Sequence, residues 1–360
     1  MIQFHKKRID MKHIITKILA LFIVLTPICL TAAAAKKLPH VVVVTTGGTV
    51  AMKLDEKTGA LVPAVSGKDL IEAVPGLGKI ATIETQEFIN IDSSQMVPKI
   101  WRDLSEKVDA ILARDDVTGV VITHGTDTME EGVFFLQTTL KSKKTVAFVG
   151  AQRAASDLSA DGPANIYDAV MTVVSPDSKG WGAVLVMDQY VNGARYVQKS
   201  HTTNPHTFKP GQYGYLGYVT NNKLMKFNDV VKATKIDLPK TLVKVPLFTT
   251  FPGDDGSSIR HAVDDGAKGI AVAGLGAGNV SKKVFEAIKY ALSKDVPVVI
   301  GTRVYEGGVY PMYGSEGGGS TLMKAGAILS KDLAINKARL LLLLGISNGL
   351  KGDALAKLFD

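Results

Sequence analysis

Four consecutive valines, Val41–Val44, run straight into Thr45-Thr46-Gly47-Gly48-Thr49-Val50. An unbroken β-branched run leaves no polar face, so it suits a central parallel strand covered on both sides. The two glycines admit backbone angles that other residues avoid, and let the chain turn sharply where the strand ends. Thr49 then stands at the carboxyl end of a strand, the edge where open α/β sheets keep their sites. Its hydroxyl is a candidate nucleophile, although an ordinary tight turn has the same composition.

Strand and helix patterns alternate beyond this point. Val97, Ile100, Trp101, Leu104, Val108, Ile111 and Leu112 recur at three and four, as on an amphipathic helix. Val120–Thr123, Thr145–Val149 and Gly182–Met187 read as buried strands, with helices over Met129–Thr139 and Ala164–Val174 between them. The pattern turns polar and irregular after Asn228, then restarts: strands Val243–Thr249, Gly269–Ala273 and Pro297–Gly301, and helices Lys282–Leu292 and Lys337–Ile346. Such alternation implies parallel sheets with right-handed crossovers. The expected organisation is α/β: a larger N-terminal parallel-sheet domain over 36–228, a linker over 229–242, and a smaller C-terminal α/β domain over 243–360. Two glycine-rich stretches invite nucleotide readings and fail them. Tyr313–Thr321 lacks the lysine of a phosphate loop, and Gly274–Asn279 has its third glycine one residue early for a dinucleotide turn.

A second segment repeats the first design: the apolar run Val120–Thr123 ends in His124-Gly125-Thr126-Asp127-Thr128. Asp127 or Thr126 can be read as a cap for the helix beginning near Met129. Two hydroxyl-rich turns at strand ends, however, suit one shared pocket. Together they closely resemble the two signatures of the bacterial type II (periplasmic) L-asparaginase and glutaminase-asparaginase family, over a stretch from about Pro39 to the C-terminus.

That resemblance implies a flavodoxin-like N-terminal domain and hydrolysis of L-asparagine, and of L-glutamine as a second substrate, through a threonine acyl-enzyme. It places the nucleophile at Thr49 and a second triad at Thr126, Lys199 and Asp127, with Lys199 inside Arg195-Tyr-Val-Gln-Lys-Ser-His-Thr-Thr203. By itself Lys199 reads as a solvated surface lysine. Burial lowers a lysine pKa and a neighbouring carboxylate opposes that. Asn90-Ile-Asp-Ser-Ser-Gln95 matches the family's substrate-binding turn, with Ser93 at the position that contacts the α-carboxylate and Ser94 beside it; a Ser-rich helix cap is the plainer alternative. Asp127 would also hold the substrate ammonium, and Ala151 would lend backbone near the oxyanion. Asn279 and Glu316 match residues that complete a neighbouring subunit's site, so the resemblance implies a homotetramer with sites at a dimer interface. Arg153, Asp161 and Gly162 read as structural.

One departure stands out. Relatives carry a lid tyrosine roughly a dozen residues beyond the nucleophile, whereas Met52–Ser66 has none, with Ala60 or Leu61 in its place and Thr58 the nearest hydroxyl. Either a positioned proton acceptor is lost, at a cost on the order of 10²–10⁴ in rate, or Tyr305, Tyr310 or Tyr313 from a neighbouring chain replaces it.

The N-terminus is read as a signal peptide over residues 1–35. Lys6, Lys7, Arg8, Lys12 and Lys17 precede the apolar stretch Ile18–Leu30, and Thr31–Ala35 offers a small-residue cleavage site. Met11 is an alternative start. The expected destination is the periplasm, with no membrane attachment after cleavage. Cys29, the only cysteine, falls inside that segment, so from Lys36 onward cysteine nucleophiles, disulfides and thiolate metal sites are excluded. The formal charge falls from +8 to +4 without the leader, which is mild for this size and argues against a nucleic-acid partner. No metal spacing appears among the remaining histidines, and no cofactor is implied. Two other readings stand beside the amidohydrolase: an exported amino-acid-binding or sensing protein on the same scaffold, and an amidase subunit acting on charged transfer RNA.

Overall fold

The valine run becomes strand β1 (His40–Thr45), with Val41–Val44 all but inaccessible to solvent. The computed structural model describes residues 1–3, 37–55, 57–63, 65–231 and 233–360. The signal-peptide reading, Cys29 included, therefore lies outside the described residues. From Leu38 to Asp360 the chain forms one contact unit, and its strands gather into two separate main sheets.

The larger sheet has eight strands. β1 lies between β4 (Thr82–Glu87) and β5 (Val117–Thr123), both parallel to it. β6 (Val146–Val149) and β7 (Ala183–Met187) continue the parallel series. Beyond β7 the direction changes. β8 (Tyr190–Gly193), β11 (Gly217–Thr220) and β12 (Lys223–Lys226) add on antiparallel, so the sheet is mainly rather than wholly parallel. Both hairpins use two-residue turns with positive φ at each position, Asp188-Gln189 and Asn221-Asn222, the geometry that matches strand twist. A small hairpin, β2 (Met52–Leu54) with β3 (Leu61–Pro63), follows the Thr49 turn, and β9 (Gln198–Lys199) pairs with β10 (Phe208–Lys209).

Alternate valines of β1 face opposite layers. Val42 and Val44 join a cluster with Trp101, Leu104, Phe135 and Phe148, under helices Pro98–Leu112 and Met129–Thr139. Val41 and Val43 join Ile166, Ala169 and Val170 of helix Gly162–Val174 on the other side. Each fully buried valine contributes about 1.5–3 kcal/mol. Val97, expected on the first of these helices, stands outside it as the cap residue and is half exposed.

The smaller sheet is parallel: β13 (Leu247–Thr249), β14 (Ile270–Gly274), β15 (Val298–Thr302) and β16 (Ile328–Leu329). Helix Ile335–Ser347 explains its own leucine run. It packs on β14 and β15 and also on helix Met129–Thr139, so Leu340–Leu344 are buried all round. The irregular segment between β12 and β13 is strapped down. Ile236 N–H reaches Thr138 O at 3.0 Å, Pro239 O accepts from Arg102 at 3.2 Å, and Asp237 O accepts from Asn348 at 2.9 Å.

One buried carboxyl carries a pH signature. Burial, then repulsion from Asp188, holds Asp168 up at about 7, against 3.8 when unfolded. Between those values the folded state binds more protons, so stability falls as pH rises through about 7. Asp168→Asn is expected to raise Tm by several degrees at about pH 8 and by less than half as much at about pH 5. Equal gains at both, followed by circular dichroism, would contradict this.

Candidate active site

β4 departs on one side of β1 and β5 on the other, so the winding reverses at β1 and leaves a crevice at the strand carboxyl ends. Three turns meet there without room for a side chain between them. A Cβ on Gly48 would lie 2.5 Å from Gly125 Cα, and one on Gly125 would lie 2.6 Å from Ser93 Oγ. A Cβ on Gly47 would lie 2.6 Å from Ile91 O. Gly47 and Gly48 have φ of +96° and +90°, a second reason for glycine at both. Hydrogen bonds fix the junction. Thr123 O accepts from Thr46 N–H at 3.1 Å and from Thr46 Oγ1 at 2.9 Å. Ser93 Oγ accepts from Asp127 N–H at 3.2 Å, while Thr128 Oγ1 donates to Ser93 O at 2.8 Å.

The two candidate threonines each follow a contacting glycine. Thr49 opens a single 3-10 turn, Thr49–Ala51, and is half-buried. Thr126 is 6 % exposed. Lys199 Nζ donates to Thr126 Oγ1 at 2.9 Å and to Asp127 Oδ1 at 2.7 Å, so Thr126, Asp127 and Lys199 are brought together. The lysine side chain is 17 % exposed and the aspartate 64 %, which leaves the carboxylate open to a ligand cation. Neither Thr126 nor Asp127 caps the following helix: its cap residue is Thr128, whose hydroxyl is spent on Ser93. Ser93 is buried, Ser94 is exposed, and Ala151 is buried just beyond β6. Asp161 accepts from the N–H groups of Gln152 and Arg153 at 3.1 and 2.9 Å, a structural role that shapes the Ala151 turn.

Asn279 and Glu316 sit apart from this group. They lie on adjoining loops of the C-terminal sheet, joined by Val280 N–H to Gly317 O at 2.9 Å. Glu316 pairs with Lys282 at 2.9 Å, and Asn279 Oδ1 is buried without a partner among the described residues. The segment after Thr49 is a hairpin whose turn is built on Asp55, which accepts from Lys57 and Thr58 N–H at 2.9 and 2.8 Å. It docks through Leu54 N–H to Ser156 Oγ at 3.1 Å. Tyr305 is engaged within its own chain: its hydroxyl donates to Lys209 O at 3.2 Å, against the lysine hairpin. Tyr310 and Tyr313 are exposed.

Sequence reasoning missed Glu130 and His124. Glu130 accepts from the Lys199 backbone N–H and, at 2.6 Å, from Asn336; in sequence it is an ordinary first-turn helix acid. His124 is wholly buried. Trp101 can only donate, so His124 Nε2 accepts from it at 3.3 Å and Nδ1 donates to Gly125 O at 2.7 Å. Burial pushes its pKa down to about 4, and the imidazole serves as a neutral brace under the Gly125 turn.

Fold and site together define an α/β protein with hydroxyl, amine and carboxylate groups gathered at the strand ends. Residues 40–232 match the model of the asparaginase N-terminal domain, and residues 244–359 that of the glutaminase/asparaginase C-terminal domain. L-asparaginase 2 of Bacillus subtilis is 34% identical over 324 residues, covering 88% of this chain and 84% of that protein. A probable periplasmic L-asparaginase of Haemophilus influenzae is 35% identical over 326 residues, covering 88% and 90%. The solved structure of a probable cytoplasmic L-asparaginase from Campylobacter jejuni superposes with a TM-score of 0.81 at 36% identity, over 89% of this chain and 99% of that one. The chain belongs to the glutaminase/asparaginase family.

Gly48→Ala forces a methyl into the Gly125 backbone at a positive φ. It is expected to reduce amide hydrolysis at least about 100-fold, because small displacements of positioned groups are this costly. Activity within about threefold of wild type would show that the junction tolerates separation.

Proposed function

We propose that the protein hydrolyses L-asparagine to L-aspartate and ammonia, with L-glutamine as a slower substrate, through an ester on Thr49. The observation that carries this is Lys199, bonded at once to Thr126 Oγ1 and Asp127 Oδ1 next to the Thr49 turn. A free surface lysine has no reason to hold both.

In the first half-reaction Thr49 Oγ attacks the side-chain carboxamide carbon, and backbone N–H groups near Ala151 stabilise the oxyanion. The C–N bond breaks, the hydroxyl proton passes to the leaving nitrogen, and ammonia departs. In the second, Lys199, acting through Thr126, takes a proton from water; hydroxide attacks the ester carbon and the C–O bond to Thr49 breaks, with the alkoxide reprotonated. Asp127 takes the substrate ammonium on its open face, so one carboxylate serves recognition and orients Lys199. Ser93, with Ser94 at the rim, receives the α-carboxylate.

L-Glutamine adds one methylene, and excluding it is worth only about 1–3 kcal/mol. The preference rests on the Met52–Ser66 hairpin, which lacks a tyrosine. Asn279 and Glu316 then serve a neighbouring subunit's site, so the working form is at least a dimer, and the family resemblance extends it to a homotetramer of two such dimers. The charged and apolar pattern of residues 1–35 supports export to the periplasm; amino-terminal sequencing of the fractionated protein is expected to begin near Lys36.

Purified protein starting at Lys36 is expected to release ammonia from L-asparagine with a higher kcat/KM than from L-glutamine. Thr49→Val and Lys199→Met are each expected to lower kcat at least about 10³-fold while the variants stay folded. Saturable binding of L-asparagine without ammonia would overturn the hydrolase and favour a binding protein. Full activity in Thr49→Val would remove the nucleophile.

A further inference from the structure

The segment that carries Lys199 is anchored from outside its own β9–β10 hairpin as well as within it. Arg195 pairs with Asp332 at 2.6 Å, and Tyr196 donates to the same carboxylate at 2.8 Å. Gln198 donates to Tyr305 O at 3.2 Å. Lys199 N–H meets Glu130, which Asn336 holds at 2.6 Å. At the centre is Lys337, with 0 % of its surface exposed. Its Nζ donates to Ala194 O at 2.9 Å, to Arg195 O at 3.1 Å and to Val197 O. All three acceptors lie within the five residues before Lys199.

Lys337 sits on a helix otherwise packed with leucines, where an apolar side chain would be the cheaper occupant. Its three donors instead satisfy carbonyls that converge from an irregular loop, which would otherwise be orphaned in the core. Burial lowers its pKa to about 8 although Glu130 and Glu131 oppose that, so it remains mostly charged at neutral pH.

We propose that Lys337 is a positioning residue: its buried ammonium gathers the Ala194, Arg195 and Val197 carbonyls and so sets Lys199 against Thr126 and Asp127. The C-terminal half thereby acts on the chemistry within its own subunit, separately from any residue it lends to another. This rests on the assignment of Lys199 as the base.

The test compares full-length mature wild type with Lys337→Met, Lys337→Gln and Lys199→Met, using L-asparagine and recording kcat, KM, the kcat–pH profile and Tm. Lys337→Met is expected to lower kcat about 10- to 100-fold with KM within about threefold, and to move the acid limb of the profile. Lys337→Gln keeps two donors for three carbonyls and is expected to recover part, but not all, of that loss. If Lys337→Met does not fold, the glutamine variant decides alone: a reduced kcat with a shifted acid limb supports the proposal. A folded variant with wild-type kcat and profile, whatever its Tm, overturns it. Wild-type turnover by Lys199→Met would instead bring down the assignment of the base, a distinguishable failure.

Discussion

The contact of Gly48 with Gly125 is the constraint on which the site depends. Two strand ends come so close that a methyl on Gly48 would strike the Gly125 backbone, while one on Gly125 would strike Ser93. Because Thr49 and Thr126 are the next residues along each turn, this one contact sets the spacing of two hydroxyls. Ser93 locks the third turn against the second, through a buried hydroxyl that accepts from Asp127 and a carbonyl that accepts from Thr128. The apolar strands below supply rigidity: Val41–Val44 and Val120–Ile122 are packed on both faces, so the turns ride on a core that cannot easily shift.

The second support comes from across the molecule. Helix Ile335–Ser347 joins the C-terminal sheet to helix Met129–Thr139, and its first turn faces the lysine loop with Asn336 and Lys337. Hydrophobic burial and polar positioning thus share one element. Its leucines hold the two halves together, and its amino end arranges the backbone that presents Lys199. Glu130 stands between, reading the position of Asn336 on one side and of Lys199 on the other.

What was legible in the sequence was local. Val41–Val44 announces a doubly buried strand, and the paired glycines announce a turn, because both facts are written in consecutive residues. Lys199 was legible only through resemblance, since nothing nearby in the chain marks it as bonded to Thr126 seventy-three positions earlier. β4 escaped because it is an edge strand with polar residues such as Glu84 and Gln86, so it lacks the apolar run that betrayed β1. The antiparallel strands β8, β11 and β12 escaped because they are short and their turns use Asp188-Gln189 and Asn221-Asn222 rather than glycine. Glu130 and Asn336 lie 206 residues apart, and only the fold makes them neighbours.

The central claim is that the Gly48 turn presents Thr49 as the acylated residue. The most direct measurement is an acid quench of mature protein turning over L-asparagine, followed by peptide mass mapping. A β-aspartyl ester is expected on the peptide containing Thr49, accumulating in Lys199→Met. An ester on the Thr126 peptide, or steady ammonia release with no ester on either, would contradict the claim.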